Sequence, residues 1–124
     1  MTGRSRPPRI LITEDEPLIA AFVEAAVSEM GAECVGPFAR LEAALLAAST
    51  EPLDGALIDI ALAEGDAYRV ASALAERRIP FAFVTAYSRS EVDRQWADRA
   101  YQAKPFVEAD IHRLVGEFLR PQTA

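Results

Sequence analysis

Four short apolar runs punctuate the chain, and each leads into a residue that carries chemistry. Ile10-Leu11-Ile12-Thr13 is followed by Glu14-Asp15-Glu16, Ala56-Leu57-Ile58 by Asp59, Phe81-Ala82-Phe83-Val84 by Thr85, and Ala100-Tyr101-Gln102-Ala103 by Lys104-Pro105. Unbroken apolar runs of this length predict strands buried on both faces. Between them the apolar spacing turns helical. Leu18, Ile19, Phe22, Val23, Ala26, Val27 and Met30 predict a first helix with Pro17 in its first turn and Gly31 at its close. Cys34-Val35-Gly36 predicts a second strand, and Leu41, Leu45 and Ala48 a second helix stopped by Pro52. The third strand runs from Gly55 to Ile60, and Val70 and Leu74 mark a third helix ending before Pro80. Ser88 or Ser90 caps a fourth helix through Trp96, and Ile111, Leu114, Val115 and Phe118 mark a fifth.

Strands that alternate with helices predict an α/β fold, a doubly wound parallel sheet covered on both faces. Ligands of such sheets sit at the carboxyl ends of the strands. Glu14, Asp15, Asp59, Thr85 and Lys104 all follow such ends, so three carboxylates, a hydroxyl and an ammonium converge on one edge. A carboxylate at the end of a buried strand is costly unless solvent, a metal or a partner charge receives it. The set suits a divalent metal and a phosphoryl group.

The totals narrow the class. A length of 124 residues predicts one domain, and a hydrophobic fraction of 51% excludes disorder for its bulk. We read residues 1–8 as a flexible lead-in, 9–120 as the folded domain and 121–124 as a frayed end. No apolar stretch approaches the roughly 20 residues that span a bilayer, and Met1–Arg9 lacks the apolar centre of a secretory signal. The lone Cys34 cannot form an internal disulfide, which favours a cytoplasmic location. A net charge of -6 argues against direct nucleic-acid binding.

Ile-Leu-Ile-Thr-Glu-Asp-Glu-Pro (10–17), Leu-Ile-Asp-Ile (57–60), Phe-Val-Thr-Ala-Tyr (83–87) and Ala-Lys-Pro-Phe (103–106) carry a resemblance. On these pieces, over about residues 9–120, the chain resembles the receiver domain of two-component response regulators. The resemblance implies a flavodoxin-like (βα)5 fold with strand order 2-1-3-4-5. It places Asp59 at the phosphoacceptor position, with Glu14 and Asp15 at the acidic pair that helps hold Mg²⁺, for which Mn²⁺ could substitute. Ala61 falls where a backbone carbonyl completes the metal site. Thr85 matches the hydroxyl and Lys104 the ammonium that contact the phosphoryl group, and Tyr101 matches the switch aromatic that moves with Thr85. The Lys104-Pro105 bond is expected to be cis. Phe83–Tyr87 is similar to a strand found in a subgroup of mostly stand-alone receivers, and Ala61 and Tyr87 flank the phosphoryl site.

The implied function is a single-domain response regulator. It would take its phosphoryl group from a histidine kinase or phosphotransfer protein and signal through a phosphorelay or a downstream protein. The readout surface would be the fourth helix, fifth strand and fifth helix. Only six residues follow Phe118, too few for an output domain. The protein is then a signalling phosphoacceptor, not an enzyme beyond its own phosphorylation and dephosphorylation. One alternative keeps the fold as a phosphorylation-independent adaptor. Another, an aspartyl phosphatase, lacks a second acid two residues after Asp59, where Ala61 stands. Glu16 reads as a helix-start acid favoured by the macrodipole, His112 as a solvated or capping residue, Trp96 as core and Cys34 as a small strand residue.

Overall fold

Parallel pairing of the apolar runs sets the architecture. The computed structural model describes residues 6–62 and 65–120. β1 (Arg9–Thr13), β2 (Glu33–Phe38), β3 (Gly55–Ile58), β4 (Phe81–Thr85) and β5 (Ala100–Ala103) form one parallel sheet in the order 2-1-3-4-5. Of the lead-in and end expected at 1–8 and 121–124, residues 1–5 and 121–124 lie outside the described residues, as do Ala63 and Glu64 in the loop after Asp59.

Alternate strand residues serve opposite faces. Leu11, Ala56, Ile58, Phe81 and Phe83 pack with α2 (Leu41–Thr50) and α3 (Tyr68–Glu76). Ile10, Ile12, Leu57, Ala82 and Val84 pack with α1 (Pro17–Glu29) and α4 (Glu108–Leu119). The central strands β1, β3 and β4 are therefore buried on both sides, which is why they read as continuous apolar runs rather than alternating ones. The edge strand β2 tolerates Pro37, and its register slips between the Leu11 and Thr13 pairings. Gly36 is required at this kink: its φ is +103°, and a Cβ there would lie 2.8 Å from the Ile12 carbonyl oxygen.

The expected fourth helix is absent. Residues 88–99 instead form two 3-10 turns, Arg89–Glu91 and Arg94–Trp96. Two capping residues five positions apart explain this. Ser88 opens the first turn: its N–H donates to the Glu91 carboxylate at 2.6 Å, and the Glu91 N–H donates to the Ser88 carbonyl at 2.9 Å. Asp93 opens the second by accepting from the Gln95 N–H at 3.1 Å. Capping residues hold an extended ψ, and at Asp93 ψ is 136°, which breaks helical continuity. Tyr68 reinforces the break, because its hydroxyl accepts the Asp93 N–H at 2.8 Å, the donor that a continuous helix would use internally. Val92 and Trp96 are buried as the apolar spacing suggests, with Trp96 edge-on to Phe81 at 5.8 Å between centroids. The surface expected to comprise fourth helix, fifth strand and fifth helix thus consists of these two turns, β5 and α4.

The apolar positions of α1 divide into buried and exposed ones. Val23, Ala26 and Val27 are buried, whereas Leu18 is 86% exposed and Phe22 42% exposed. Among the described residues, no helix is long and apolar enough to cross a membrane.

Candidate functional site

Strand register brings the chemistry to one edge. Thr13 pairs with Ile58, Ile58 with Phe83, and Thr85 with Ala103, so the residues that follow β1, β3, β4 and β5 emerge together. Asp15, Asp59, Ala61, Thr85, Tyr87 and Lys104 line a cleft of about 220 Å³ there. Carboxylate oxygens of Glu14, Asp15 and Asp59 lie within 4.8 Å of one another. The sequence-predicted residues are therefore neighbours in space.

Asp59 is 4% exposed and is held through its backbone. Its N–H donates to the Thr13 carbonyl at 3.1 Å and to Thr13 Oγ1 at 3.0 Å, and the Thr13 hydroxyl is 3.3 Å from the Asp59 carbonyl. Thr13 thus positions Asp59, a role its place at a strand end does not advertise. Asp59 Oδ1 accepts from the Ala61 N–H at 3.3 Å, and Oδ2 accepts from Lys104 Nζ at 2.9 Å.

Lys104 also pairs with Glu14, at 2.8 Å to Oε1 and 3.0 Å to Oε2. Glu14 Oε2 also accepts the Glu16 N–H at 3.1 Å, just ahead of α1. Burial pulls the Lys104 ammonium down, but its hydrogen bonds to Glu14 and Asp59 outweigh it and hold its pKa above the ordinary value. Glu14 is raised: burial dominates and Asp59 adds repulsion, against the hydrogen bonds from Lys104 and the Glu16 N–H. One ammonium faces three acids, and the excess negative charge is what a bound cation would neutralise. The donors are all oxygen and close enough for Mg²⁺, which prefers oxygen ligands in octahedral geometry at about 2.0–2.1 Å. The residues present fit that ion.

Thr85 is fully buried, and its Oγ1 accepts the Tyr87 N–H at 3.2 Å. Since that bond uses an oxygen lone pair, the hydroxyl proton stays available to an acceptor in the cleft. The Tyr101 hydroxyl donates to the Tyr87 carbonyl, and the Arg89 guanidinium lies 4.9 Å from the Tyr101 ring centroid. Both residues expected to move are thus tied to Tyr87. The Lys104-Pro105 bond is cis, as expected. His112 Nε2 lies 3.1 Å from the Ala26 carbonyl at the end of α1, a capping placement.

Beyond Lys104 the cleft continues into an apolar groove of about 460 Å³ lined by Leu18, Ile19, Phe22, Pro105 and Phe106. The exposed Leu18 and Phe22 are its signal, and helical spacing alone does not tell them from the buried positions of α1.

No protein-family model matches the chain. Over 114 residues it is 34% identical to the phyllosphere-induced regulator PhyR of Methylorubrum extorquens, covering 89% of this chain and 43% of that protein. The chain spans about half the length of the curated relatives it matches. The solution structure of SdrG from Sphingomonas melonis superposes with a TM-score of 0.80 at 35% identity, covering 94% of this chain and 100% of that one. The receiver domain of sensor histidine kinase PA1611 from Pseudomonas aeruginosa, with a magnesium ion coordinated in its active-site cleft, gives a TM-score of 0.77 at 27% identity, covering 90% and 97%.

Proposed function

The chain belongs to the response regulator receiver-domain family of two-component systems, and on that premise we propose that Asp59 accepts a phosphoryl group from the phosphohistidine of a histidine kinase or phosphotransfer protein. The family's role is signalling rather than substrate turnover. The observation that carries the reading is the part-buried Lys104–Asp59 contact at 2.9 Å within a cleft of three carboxylates.

In the transfer an Asp59 carboxylate oxygen attacks phosphorus. The P–N bond breaks, and its electron pair leaves with the imidazole, which takes up a proton. Lys104 neutralises charge on the phosphoryl oxygens, and the free Thr85 proton donates to one of them. Glu14, Asp15, Asp59 and the Ala61 carbonyl would hold Mg²⁺, with Mn²⁺ as a substitute. When bound, the ion offsets the negative charge of the transferring group. Thr85 shifting toward the phosphoryl group gives up the Tyr87 N–H, and Tyr101 follows through its own bond to Tyr87. A population swing from 1:99 to 99:1 takes about 5.5 kcal/mol of preference. The changed face is the pair of 3-10 turns with β5 and α4. The apolar groove shares Glu16 and Lys104 with the cleft, so it suits the donor protein, which must bring its histidine to Asp59.

The test is an amide NMR titration with Mg²⁺ and beryllofluoride, a phosphoryl mimic. Shifts at Thr85, Lys104, Tyr101 and residues 88–99 in the wild type, absent in Asp59→Asn, are expected. A beryllofluoride response that survives Asp59→Asn would overturn the assignment.

A further inference from the structure

A second group of metal-ligating side chains lies outside the cleft, where the end of α1 meets the start of α4. Glu29, Glu108 and His112 each bring one donor atom to within 4.8 Å of the others. Glu108 and His112 are four residues apart on α4 and share one face. Glu29 comes from α1, which packs on α4 through Val23, Ala26, Val27, Ile111, Leu114 and Val115.

The local electrostatics favour a cation. Glu29 is the last residue of α1, where the helix dipole disfavours a carboxylate, and the last turn holds no basic residue. The Met30 N–H bonds the Val27 carbonyl, leaving the Ala26 carbonyl directed at His112 Nε2.

We propose that Glu29, Glu108 and His112 form a binding site for a transition-metal dication of the Zn²⁺ class, distinct from the acidic edge around Asp59. His112 Nε2 lies 3.6 Å from Glu29 Oε1, and tetrahedral Zn²⁺ with bonds of about 2.0–2.1 Å separates its ligands by about 3.3 Å. Small side-chain movements close that gap. Donor chemistry separates the two places: one imidazole nitrogen with two carboxylates selects Zn²⁺-like ions, whereas the all-oxygen edge selects Mg²⁺. On binding, Nε2 exchanges its contact with Ala26 for the metal, and the neutral ring carries its proton on Nδ1. The occupied site ties α1 to Glu108, four residues beyond Lys104, and so restrains the segment that carries Lys104, Pro105 and Phe106.

His112 is the chain's single histidine, so its ring resonances report the site without ambiguity. The experiment titrates Zn²⁺ into tag-free protein held in saturating Mg²⁺ and follows the His112 ring ¹⁵N resonances. A one-to-one response centred on Nε2, lost in both Glu29→Gln and Glu108→Gln, is expected. Both variants alter exposed residues, their folding is checked by their amide spectra, and either one alone decides the outcome. A ring that does not respond through one equivalent of Zn²⁺, or a response unchanged in the variants, overturns the proposal.

Discussion

Lys104 Nζ lies 2.9 Å from Asp59 Oδ2, a contact between residues 45 positions apart in which Asp59 is buried and Lys104 half-buried. Lys104 also neutralises Glu14 at 2.8 Å, so one side chain balances the two most buried acids of the cleft. Removing it leaves both carboxylates without their counter-charge. Lys104→Ala is expected to lose about 3 kcal/mol of stability, the usual scale for breaking a buried ion pair. Urea unfolding without divalent ions measures the loss. Mg²⁺ should restore part of it, because an ion that binds only the folded chain stabilises it by mass action. A variant as stable as the wild type would show that the pair is not what balances these charges.

Glu14 sets a pH dependence of definite sign. Its folded pKa is raised above 4.5, mainly by burial, so the folded chain holds this proton more tightly than the unfolded chain does. Its contribution is fully present below 4.5 and is lost as pH rises through the raised folded value. The Lys104 pKa is raised above 10.5. Its contribution is present below that value and lost only above it, so it stays constant through this window. Metal-free wild type should therefore gain stability relative to Glu14→Gln as pH falls from neutral toward 4.5. Paired urea midpoints across that range test it, and a flat difference refutes it.

Leu18 tests the donor groove. At 86% exposure it contributes little to the fold, so Leu18→Asp should leave the melting temperature within about 0.5 kcal/mol equivalent of the wild type. Phosphotransfer from a phosphorylated kinase or phosphotransfer protein should slow roughly tenfold or more, as for a central interface residue. Labelling by a small phosphodonor should not change. Equal slowing with both donors would place the effect in the cleft rather than the groove.

Gly55 tests the packing under β3. A Cβ there would lie 2.5 Å from Phe118 Cδ2, the ring of α4 that covers the start of the strand. Gly55→Ala should cost about 1–3 kcal/mol as an overpacked site. Phe118→Leu should recover part of that cost in the double variant. Additive losses would locate the strain elsewhere.

The strand-end chemistry was legible because three independent patterns point to one edge: unbroken apolar runs, helices between them, and polar residues after each run. Asp59, Thr85 and Lys104 become neighbours once parallel pairing is assumed. Leu18 and Phe22 were harder, since spacing shows which residues share a face but not how much of it the sheet covers. The segment after Ser88 misled because Val92 and Trp96 are buried at helical spacing while the chain is extended at Val92 and Asp93. The deciding contacts, Asp93 to Gln95 and to Tyr68, are a second cap and a partner 25 residues away. Thr13 is similar: its hold on Asp59 crosses 46 residues and leaves no local signature.

The two short turns between Ser88 and Trp96 make that face granular. A helix of equal length would bend or melt as one cooperative unit, with every hydrogen bond coupled to its neighbours. Here each turn closes on its own few bonds, and the extended Val92–Asp93 link lets one rearrange while the other holds. A single step costs the net worth of a hydrogen bond or two, about 1 kcal/mol each. Movement at Tyr87 can therefore be passed outward in small independent increments rather than in one all-or-none jump, and a partner resting on this surface could read intermediate positions.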